Sequence, residues 1–350
     1  MIMTKVAHIV WGFRTGGIET MLVNILNRQV EDIEVVLIII NDLIEPQLIE
    51  LLDSRVKVVK LARKVGSRNP LPLLRLNMLL LKERPSVIHS HSFTVINYLL
   101  PAFRKKSILT YHTTLTDGVT RSVLQKYSRI YSISKSVSKT LLEQFGVKSK
   151  VIYNGIMFSK IESKEDIYPH NPIRIVQIGR LKSYKGHTTA LEALSNIKDV
   201  NWHFDIIGEG ELLKELTEYV VKNSLEDRVT FLGNKSQQYI FSHLKEYDIL
   251  LQPSLWEGFG LSVAEAMAAK VAVVVSDADA LTEVVDNGEY GYVFRAGNSN
   301  LCAASLRSAI ENCASKDALD KAYCFALKSF DINNTATAYI NEYKDESFAN

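Results

Sequence analysis

Two glutamates eight residues apart carry the clearest chemistry in this sequence. Glu257 and Glu265 flank a Gly-Phe-Gly turn, which follows the short apolar run Ile249–Gln252 and precedes a helical pattern that starts at Leu261. A strand end, a glycine loop and a helix start bring free backbone N–H groups and the positive end of a helix dipole together, which favours phosphate. The two carboxylates can accept hydrogen bonds from hydroxyl groups on either side of that anion.

A second loop could supply positive charge. Arg180 and Lys185 both follow the predicted strand Ile173–Ile178 and lie on one short loop. Together they could neutralise a diphosphate and stabilise charge on a leaving nucleotide; the alternative is a solvated basic loop. A sugar joined through a diphosphate to a ribose has hydroxyls at both ends of the anion, so a nucleotide-sugar enzyme is the leading hypothesis.

Weaker candidates follow other predicted strands. Gly16 and Gly17 precede a helix start, which fits either a phosphate contact or a structural turn. Gly233 could present backbone groups to a base, and His112 falls at the end of the strand Ser107–Tyr111.

Two acid or histidine pairs have the spacing of metal ligands. His89 and His91 are separated by one residue, as are Asp277 and Asp279. No third ligand is evident for the histidines, and a loop acid pair alone is weak, so no metal site is predicted.

Strand-like and helix-like runs alternate throughout the chain, which predicts parallel, doubly wound sheets. The predicted helices include Glu19–Arg28, Leu71–Lys82, His187–Ile197 and Glu211–Asn223. The predicted strands are Val6–Val10, Val35–Ile40, Val56–Lys60, Ser86–His89, Ser107–Tyr111, Ile130–Ile133, Lys150–Tyr153, Ile173–Ile178, Trp202–Ile207, Arg228–Leu232, Ile249–Gln252 and Val271–Val275.

A polar segment with two prolines, residues 162–172, interrupts this alternation. It predicts a first domain over residues 1–160 and a second over 161–330. Because ligands of open α/β sheets bind at the carboxyl ends of strands, two Rossmann-like domains facing a central cleft could hold two substrates.

Composition excludes several classes of protein. The chain has 350 residues and a net charge of +2, which is too small to argue for nucleic acid. The start of the sequence lacks the layout of a signal peptide, and the longest apolar run, Val35–Ile40, has the length of a strand. Three cysteines in a helical region are expected to be reduced and packed, so a cytoplasmic location is expected.

These motifs, in this order, resemble the family 4 retaining glycosyltransferases of the GT-B fold over nearly the whole chain. The most specific motif is Glu-x7-Glu with its internal Gly-Phe-Gly. The matching segments are Gly-Gly-Ile-Glu at 16–19, Tyr-Asn-Gly-Ile at 153–156, Gly-Arg-Leu at 179–181 with Lys-Gly at 185–186, Gly-Glu-Gly at 208–210, residues 257–268, and residues 283–291.

The resemblance implies a role for each candidate. Glu257 would bind hydroxyls of the donor sugar and Glu265 those of the ribose, while Arg180 and Lys185 would hold the diphosphate. Gly17 and the backbone around residues 259–260 would complete that cradle, and His112 would contact the donor sugar. The catalytic candidates are thus His112, Arg180, Lys185 and Glu257, and the donor-binding candidates are Gly16, Gly17, Gly233, Phe259, Gly260, Leu261 and Glu265.

The resemblance further implies a metal-independent reaction without a resident cofactor, in which a UDP- or GDP-sugar gives its sugar to an acceptor hydroxyl with retention. The segment 331–343 should be a helix that returns to the first domain, within a C-terminal stretch of 331–350. A bacterial surface polysaccharide, built on a saccharide or lipid-linked acceptor, is the expected product. Alternatives are a nucleotide-sugar epimerase of GT-B shape and a non-catalytic nucleotide-sugar-binding subunit.

The predicted helix Leu71–Lys82 is apolar over much of its surface and has basic residues around it, among them Arg68, Arg75 and Arg84. It fits a core helix with solvated ends. It also fits a surface that contacts anionic lipid at the inner face of the plasma membrane and presents a lipid-linked acceptor.

Overall fold

The computed structural model describes residues 4–14 and 16–345, and these form two α/β units. The described residues up to Ile156, together with the helix Ile332–Tyr343, form the first unit, and Met157–Asp331 form the second. The structure therefore divides the chain four residues before the border that the polar segment predicted.

The first unit contains a parallel sheet of seven strands. Its strands are β1 Lys5–Val10, β2 Glu34–Asn41, β3 Lys57–Arg63, β4 Val87–Ser90, β5 Ser107–Tyr111, β6 Arg129–Ser132 and β7 Lys150–Val151. They lie in the order β3-β2-β1-β4-β5-β6-β7.

The second unit repeats this order in a six-stranded parallel sheet, β10-β9-β8-β11-β12-β13. Its strands are β8 Ile173–Ile178, β9 Trp202–Ile207, β10 Val229–Gly233, β11 Ile249–Gln252, β12 Ala272–Ser276 and β13 Tyr292–Phe294. The predicted fold class, two Rossmann-like parallel-sheet domains, is confirmed. The short strand β13 was missed, because three residues at a sheet edge give too little periodicity.

Helices connect successive strands in both units. The helices of the first unit are α1 Gly17–Gln29, α2 Pro46–Glu50, α3 Leu71–Glu83, α4 Arg121–Leu124, α5 Lys135–Phe145 and α13 Ile332–Tyr343. Those of the second are α6 His187–Ser195, α7 Leu213–Lys222, α8 Gln237–His243, α9 Leu261–Ala268, α10 Leu281–Val284, α11 Ser299–Asn312 and α12 Lys316–Phe330. Short 3₁₀ segments are Val95–Tyr98, Pro101–Lys106, Phe158–Lys160, Ser183–Lys185, Leu244–Glu246 and Asp286–Gly288.

Continuous apolar strands form the centre of each sheet because helices cover both faces. In β2, six consecutive residues from Val35 to Ile40 are buried, as expected of a parallel strand rather than a half-exposed one. In the second unit, residues of β8, β9, β11 and β12 share one apolar core with α6 and α11.

The strand order determines where the loops that carry the predicted motifs lie in each sheet. In each sheet the first three strands are added towards one edge and the remaining strands towards the other edge. The switch point therefore lies between β1 and β4 in the first unit and between β8 and β11 in the second. Adjacent loops diverge at such a switch point and leave a crevice at the carboxyl ends of the strands, where ligands bind. The predicted loop with Gly16 and Gly17 follows β1, and the loops with Lys185 and Glu257 follow β8 and β11. His112 follows β5, which is one strand farther from the switch point of its sheet.

Two further predictions concern cysteines and membranes. Cys302 and Cys313 are buried, but Cys324 is exposed, so the expectation that all three pack inside was wrong for the last. Among the helices of residues 4–14 and 16–345, none has both the length and the apolar character needed to cross a bilayer.

Candidate active site

Lys185 and Glu257, predicted from two separate motifs, form a direct ion pair. Lys185 ends a 3₁₀ turn in the loop after β8, and Glu257 lies in the loop after β11. Nζ of Lys185 lies 2.5 Å from Oε2 of Glu257, and the side chains are 16% and 17% exposed. The switch point thus brings together two charges that are 72 residues apart in the chain.

Backbone contacts lock these two loops against each other. Gly186 has φ +70°, and a Cβ built on it would lie 1.9 Å from the carbonyl oxygen of Pro253. Next to it, the N–H of Leu255 donates to the carbonyl of Tyr184 over 2.7 Å. Glycine at 186 therefore allows the close approach that positions Lys185 beside Glu257.

Arg180 is exposed and is oriented by an aromatic pair. Its Nη2 donates to the hydroxyl of Tyr184 over 2.8 Å. The Tyr184 ring stacks on Trp256, with ring centroids 4.4 Å apart and an angle of 25°. Sequence reasoning missed Trp256, although it directly precedes Glu257, because nothing local indicates a partner on the other loop.

The two acids that resembled a metal motif accept hydrogen bonds from backbone groups, and Asp279 supports the Glu257 loop. The carboxylate of Asp279 accepts a hydrogen bond from the backbone N–H of Glu257 at 3.3 Å. The carboxylate of Asp277 accepts one from the N–H of Ala296 at 2.8 Å. Both acids therefore hold backbone groups in place.

The glycine turn leads into a helix as predicted. Gly260 has φ +103° and immediately precedes α9, which begins at Leu261. The Phe259 side chain is buried and packs edge-on against Phe330, with centroids 5.3 Å apart. Any contact of Phe259 with a ligand therefore falls to its backbone. Gly233 has φ +67°, and its carbonyl is occupied by the N–H of Gly208 at 2.9 Å.

Glu265 lies on α9, one turn after the helix begins. Burial raises the pKa of its carboxyl group from 4.5 to about 8. Hydroxyl groups that donate hydrogen bonds to this carboxylate would favour its charged form and lower that pKa again.

Replacing Glu265 with glutamine is expected to stabilise the second unit at alkaline pH. Above pH 4.5 the unfolded carboxyl loses its proton while the folded one keeps it up to about pH 8, so the wild type loses stability across that interval. Glutamine removes this loss. A rise in pKa from 4.5 to about 8 is worth roughly 5 kcal/mol, so calorimetry should show a gain of about 10 °C or more in melting temperature at pH 9 and none at pH 4. An equal gain at both pH values would contradict the raised pKa.

The remaining predicted residues lie in the first unit. Gly17 is the first residue of α1. A Cβ added to Gly16 would lie 2.8 Å from a carboxylate oxygen of Glu19. His112 follows β5, and burial lowers the pKa of its imidazole to about 4. Its Nδ1 is buried and has no hydrogen-bond partner among residues 4–14 and 16–345.

The structure brings some of the predicted residues into contact. In the second unit Lys185 contacts Glu257, and Arg180 is held by Tyr184 on the same loop. Gly16, Gly17 and His112 belong to the other unit. Sequence reasoning found no third histidine near His89 and His91, but His8 of β1 is that neighbour.

Two parallel sheets of the Rossmann type, the second with a charged pair at its switch point, have the architecture of the GT-B glycosyltransferases. Family models agree: residues 159–323 match Glycosyl transferases group 1, and residues 15–159 match Glycosyltransferase Family 4. The chain belongs to the family 4 glycosyltransferases of the GT-B fold.

Curated relatives are similar over part of their length. An uncharacterized glycosyltransferase of Methanocaldococcus jannaschii is 30% identical over 53% of this chain and 50% of its own. The amylovoran biosynthesis glycosyltransferase AmsK of Erwinia amylovora is 34% identical over 45% of this chain and 41% of its own. The chain thus spans about half the length of these relatives or less.

A solved structure extends the likeness to the whole fold. Anabaena HepE in complex with UDP and glucose has a TM-score of 0.79 and 18% identity, covering 97% of this chain and 99% of its own. At this identity the likeness shows the fold.

Proposed function

We propose that this protein transfers a sugar from a nucleoside-diphosphate sugar to an acceptor hydroxyl with retention of anomeric configuration. The observation that carries the proposal is the Lys185–Glu257 ion pair at the β8/β11 switch point. A cation that can bind phosphate and a carboxylate that can accept hydrogen bonds from sugar hydroxyls lie side by side in this pair, which supports the proposal. The complex of HepE with UDP and glucose supports a nucleotide-sugar donor of the UDP type.

Charge stabilisation is the main chemical contribution of these residues. The bond between the anomeric carbon and the diphosphate oxygen breaks, and a bond to the acceptor oxygen forms on the same face. The acceptor proton passes to the leaving diphosphate, while Arg180 and Lys185 stabilise its negative charge. Glu257 orients the sugar through its hydroxyls. These groups require no metal ion.

Other residues complete donor binding in this proposal. Glu265 accepts hydrogen bonds from the ribose hydroxyls, and His112 contacts the donor sugar. Backbone groups provide the remaining contacts, from Gly16, Gly17, Gly233, Phe259, Gly260 and Leu261.

A donor screen tests the proposal against its alternatives. UDP-, GDP- and ADP-sugars are first tested for binding, then for release of the nucleoside diphosphate with and without saccharide acceptors, in buffer containing EDTA. A transferase releases the diphosphate only with acceptor, and NMR of the product gives its anomeric configuration. Release or a changed sugar without acceptor would instead identify an epimerase, and binding without turnover a non-catalytic subunit.

The pathway we propose is the synthesis of a bacterial surface polysaccharide at the inner face of the plasma membrane. The similarity to AmsK, a protein of amylovoran biosynthesis, supports this pathway. The acceptor would be a saccharide or a lipid-linked saccharide bound by the first unit.

An exposed apolar stripe on α3 supports contact with anionic lipid. One face of α3 is buried through Leu76 and Leu80. The opposite face exposes four apolar side chains at helical spacing, to between 45% and 58%: Leu71, Leu74, Met78 and Leu81. The sequence left two interpretations of this helix open. Its buried face fits a core helix, and its exposed stripe fits a surface that contacts lipid.

The neighbouring segment continues this surface. The side chain of Asn77 donates to the carbonyl of Tyr98 and accepts from the N–H of Leu100, both over 2.8 Å. Tyr98 and Leu100 are 44% and 45% exposed beside α3. The exposed cations Arg75 and Lys82 lie on the same helix, so this surface suits apolar contact combined with negative headgroups.

Replacing Leu74 and Met78 with aspartate is expected to weaken binding to phosphatidylglycerol-containing vesicles at low salt by at least about tenfold, since two apolar contacts become repulsive. Vesicle co-sedimentation measures this. As a control, Leu213 and Val221 of α7, which are 43% and 56% exposed, are replaced in the same way. Equal losses in both double variants, or no binding by the wild type, would contradict the lipid surface.

A further inference from the structure

Three fully buried polar residues lie where neighbouring strands of the second sheet end. Gln177 is the last residue but one of β8, Gln252 is the last residue of β11 and Ser276 is the last residue of β12. Each of them is 0% exposed, and β11 lies between the other two strands. A buried polar group lowers stability unless it is hydrogen-bonded, so the partners of these side chains indicate what they do.

The amide of Gln177 holds the turn that carries Lys185. Its side-chain N–H₂ donates to the carbonyl oxygen of Lys185 over 2.8 Å, and Lys185 is the last residue of the 3₁₀ turn Ser183–Lys185. Oε1 of Gln177 is buried and has no partner within the part of the chain that the structure describes. A buried acceptor without a donor is unfavourable, so a glutamine at this position is not explained by stability alone.

The loop that carries Glu257 is held at Ser254, which is also fully buried. The hydroxyl of Ser254 accepts a hydrogen bond from the side-chain N–H₂ of Gln252 over 2.8 Å. Its carbonyl accepts one from the hydroxyl of Ser276 over 2.5 Å. The hydroxyl of Ser254 also lies 3.5 Å from Oε2 of Glu257. This last contact is long, so the fixed backbone at Ser254 contributes most to the position of the loop.

The amide of Gln252 also connects this loop to α9. Its Oε1 accepts a hydrogen bond from the hydroxyl of Ser262 over 3.2 Å. Ser262 is the second residue of α9, which begins directly after the glycine turn. One buried side chain therefore bonds to both ends of the segment 254–262, in which Glu257 lies.

We propose that Gln177 and Gln252 position the Lys185–Glu257 ion pair, Gln177 through the backbone of Lys185 and Gln252 through the two ends of the Glu257 loop. Nζ of Lys185 and Oε2 of Glu257 are 2.5 Å apart, and each of them lies on a loop that is fixed by the strand it follows. Both glutamines act through other groups, so they are positioning residues. Their effect on sugar transfer rests on the proposed function; their effect on the ion pair does not.

General support of the second unit is the competing explanation of these bonds. Tyr247 offers a matched comparison, because it precedes β11 at the end of the strand far from the Glu257 loop. It is 3% exposed, and its hydroxyl donates to the carboxylate of Asp205 over 2.9 Å. Tyr247→Phe therefore removes a buried hydrogen bond of the same unit without affecting either loop.

The test is the carbon-13 resonance of the Glu257 carboxyl group in the full chain, labelled at the side-chain carboxyl carbon of glutamate. Glu257→Gln assigns the resonance, and Lys185→Met shows the shift that loss of the ion pair produces. Methionine has nearly the length of glutamine and no amide. We expect Gln177→Met and Gln252→Met each to move the resonance at least half as far in the same direction, while Tyr247→Phe leaves it in place.

A resonance that stays in place in both glutamine variants, while it moves in Lys185→Met, would overturn the proposal. So would an equal shift in Tyr247→Phe, or no shift in Lys185→Met. If Gln252→Met does not fold, Ser262→Ala removes only the bond to α9, and it should move the resonance in the same direction.

Transfer kinetics give a second readout. Gln177→Met and Gln252→Met should each lower kcat by about tenfold to a hundredfold, the effect of displacing a reacting group by about 1 Å. Because Gln177 acts through Lys185, Gln177→Met should cause no further loss in a Lys185→Met background; a full additional loss there would contradict the proposal. If no nucleotide sugar supports transfer, the proposed function fails, and the carbon-13 shifts still decide whether the glutamines position the ion pair.

Discussion

Replacing Lys185 with methionine is expected to lower kcat of sugar transfer by about a thousandfold while the protein stays folded. Lys185 is the most buried of the three cations in the loop after β8: its side chain is 16% exposed, that of Lys182 is 37% exposed, and Arg180 is exposed. A charge in such surroundings stabilises a leaving diphosphate far more than one in water does. Single-turnover release of the nucleoside diphosphate at saturating donor measures the effect.

Lys182 provides a matched control on the same loop. Its Nζ pairs with Glu211 at 2.6 Å, but the two side chains are 37% and 63% exposed. Such a surface pair contributes little, so Lys182→Met should retain nearly full kcat. Near-normal turnover in Lys185→Met, or an equal loss in both variants, would refute the role assigned to Lys185. Glu257→Ala should also abolish nearly all transfer, through lost sugar positioning.

Replacing Gly186 with alanine is expected to destabilise the second unit by about 4 kcal/mol. A left-handed conformation, here φ +70°, costs an alanine ~1 kcal/mol. Its Cβ would also lie 1.9 Å from the carbonyl oxygen of Pro253, and relieving such a clash costs ~3 kcal/mol. Denaturant unfolding of the full chain measures the change, and transfer activity should fall with it because Lys185 is adjacent.

Gly297 is a control position that separates the cost of the left-handed backbone from the cost of the steric clash with Pro253. It has φ +73° in the same unit, but a Cβ there would meet only Leu255 Cδ2, at the ordinary distance of 3.6 Å. Gly297→Ala should therefore cost only ~1 kcal/mol. Equal costs at both positions would show that the approach of Gly186 to Pro253 is not required.

Local signals in the sequence predicted the elements well. Continuous Val and Ile runs predicted twelve of the thirteen described strands, because a parallel strand buried on both faces is apolar along its whole length. The Glu257 motif predicted a strand, a glycine turn and a helix from Leu261, as observed. These features depend on neighbours in the chain.

Features that depend on exposure could not be predicted in this way. The stripe of α3 consists of apolar residues at helical spacing, and Cys324 also belongs to a helix, yet both are exposed. Whether such a face is buried depends on which element packs against it, and periodicity alone does not indicate that.

The sequence by itself determined the fold class, the family resemblance and the loops that carry the charged residues, since each is written in short-range pattern. Only the tertiary structure decided which side chains meet. Lys185 contacts Glu257 across 72 residues, and His8 contacts His91 across 83. Both contacts arise because the strand order puts β8 beside β11 and β1 beside β4. Strand order results from how helices and sheets pack over the whole unit, so a local motif cannot specify it.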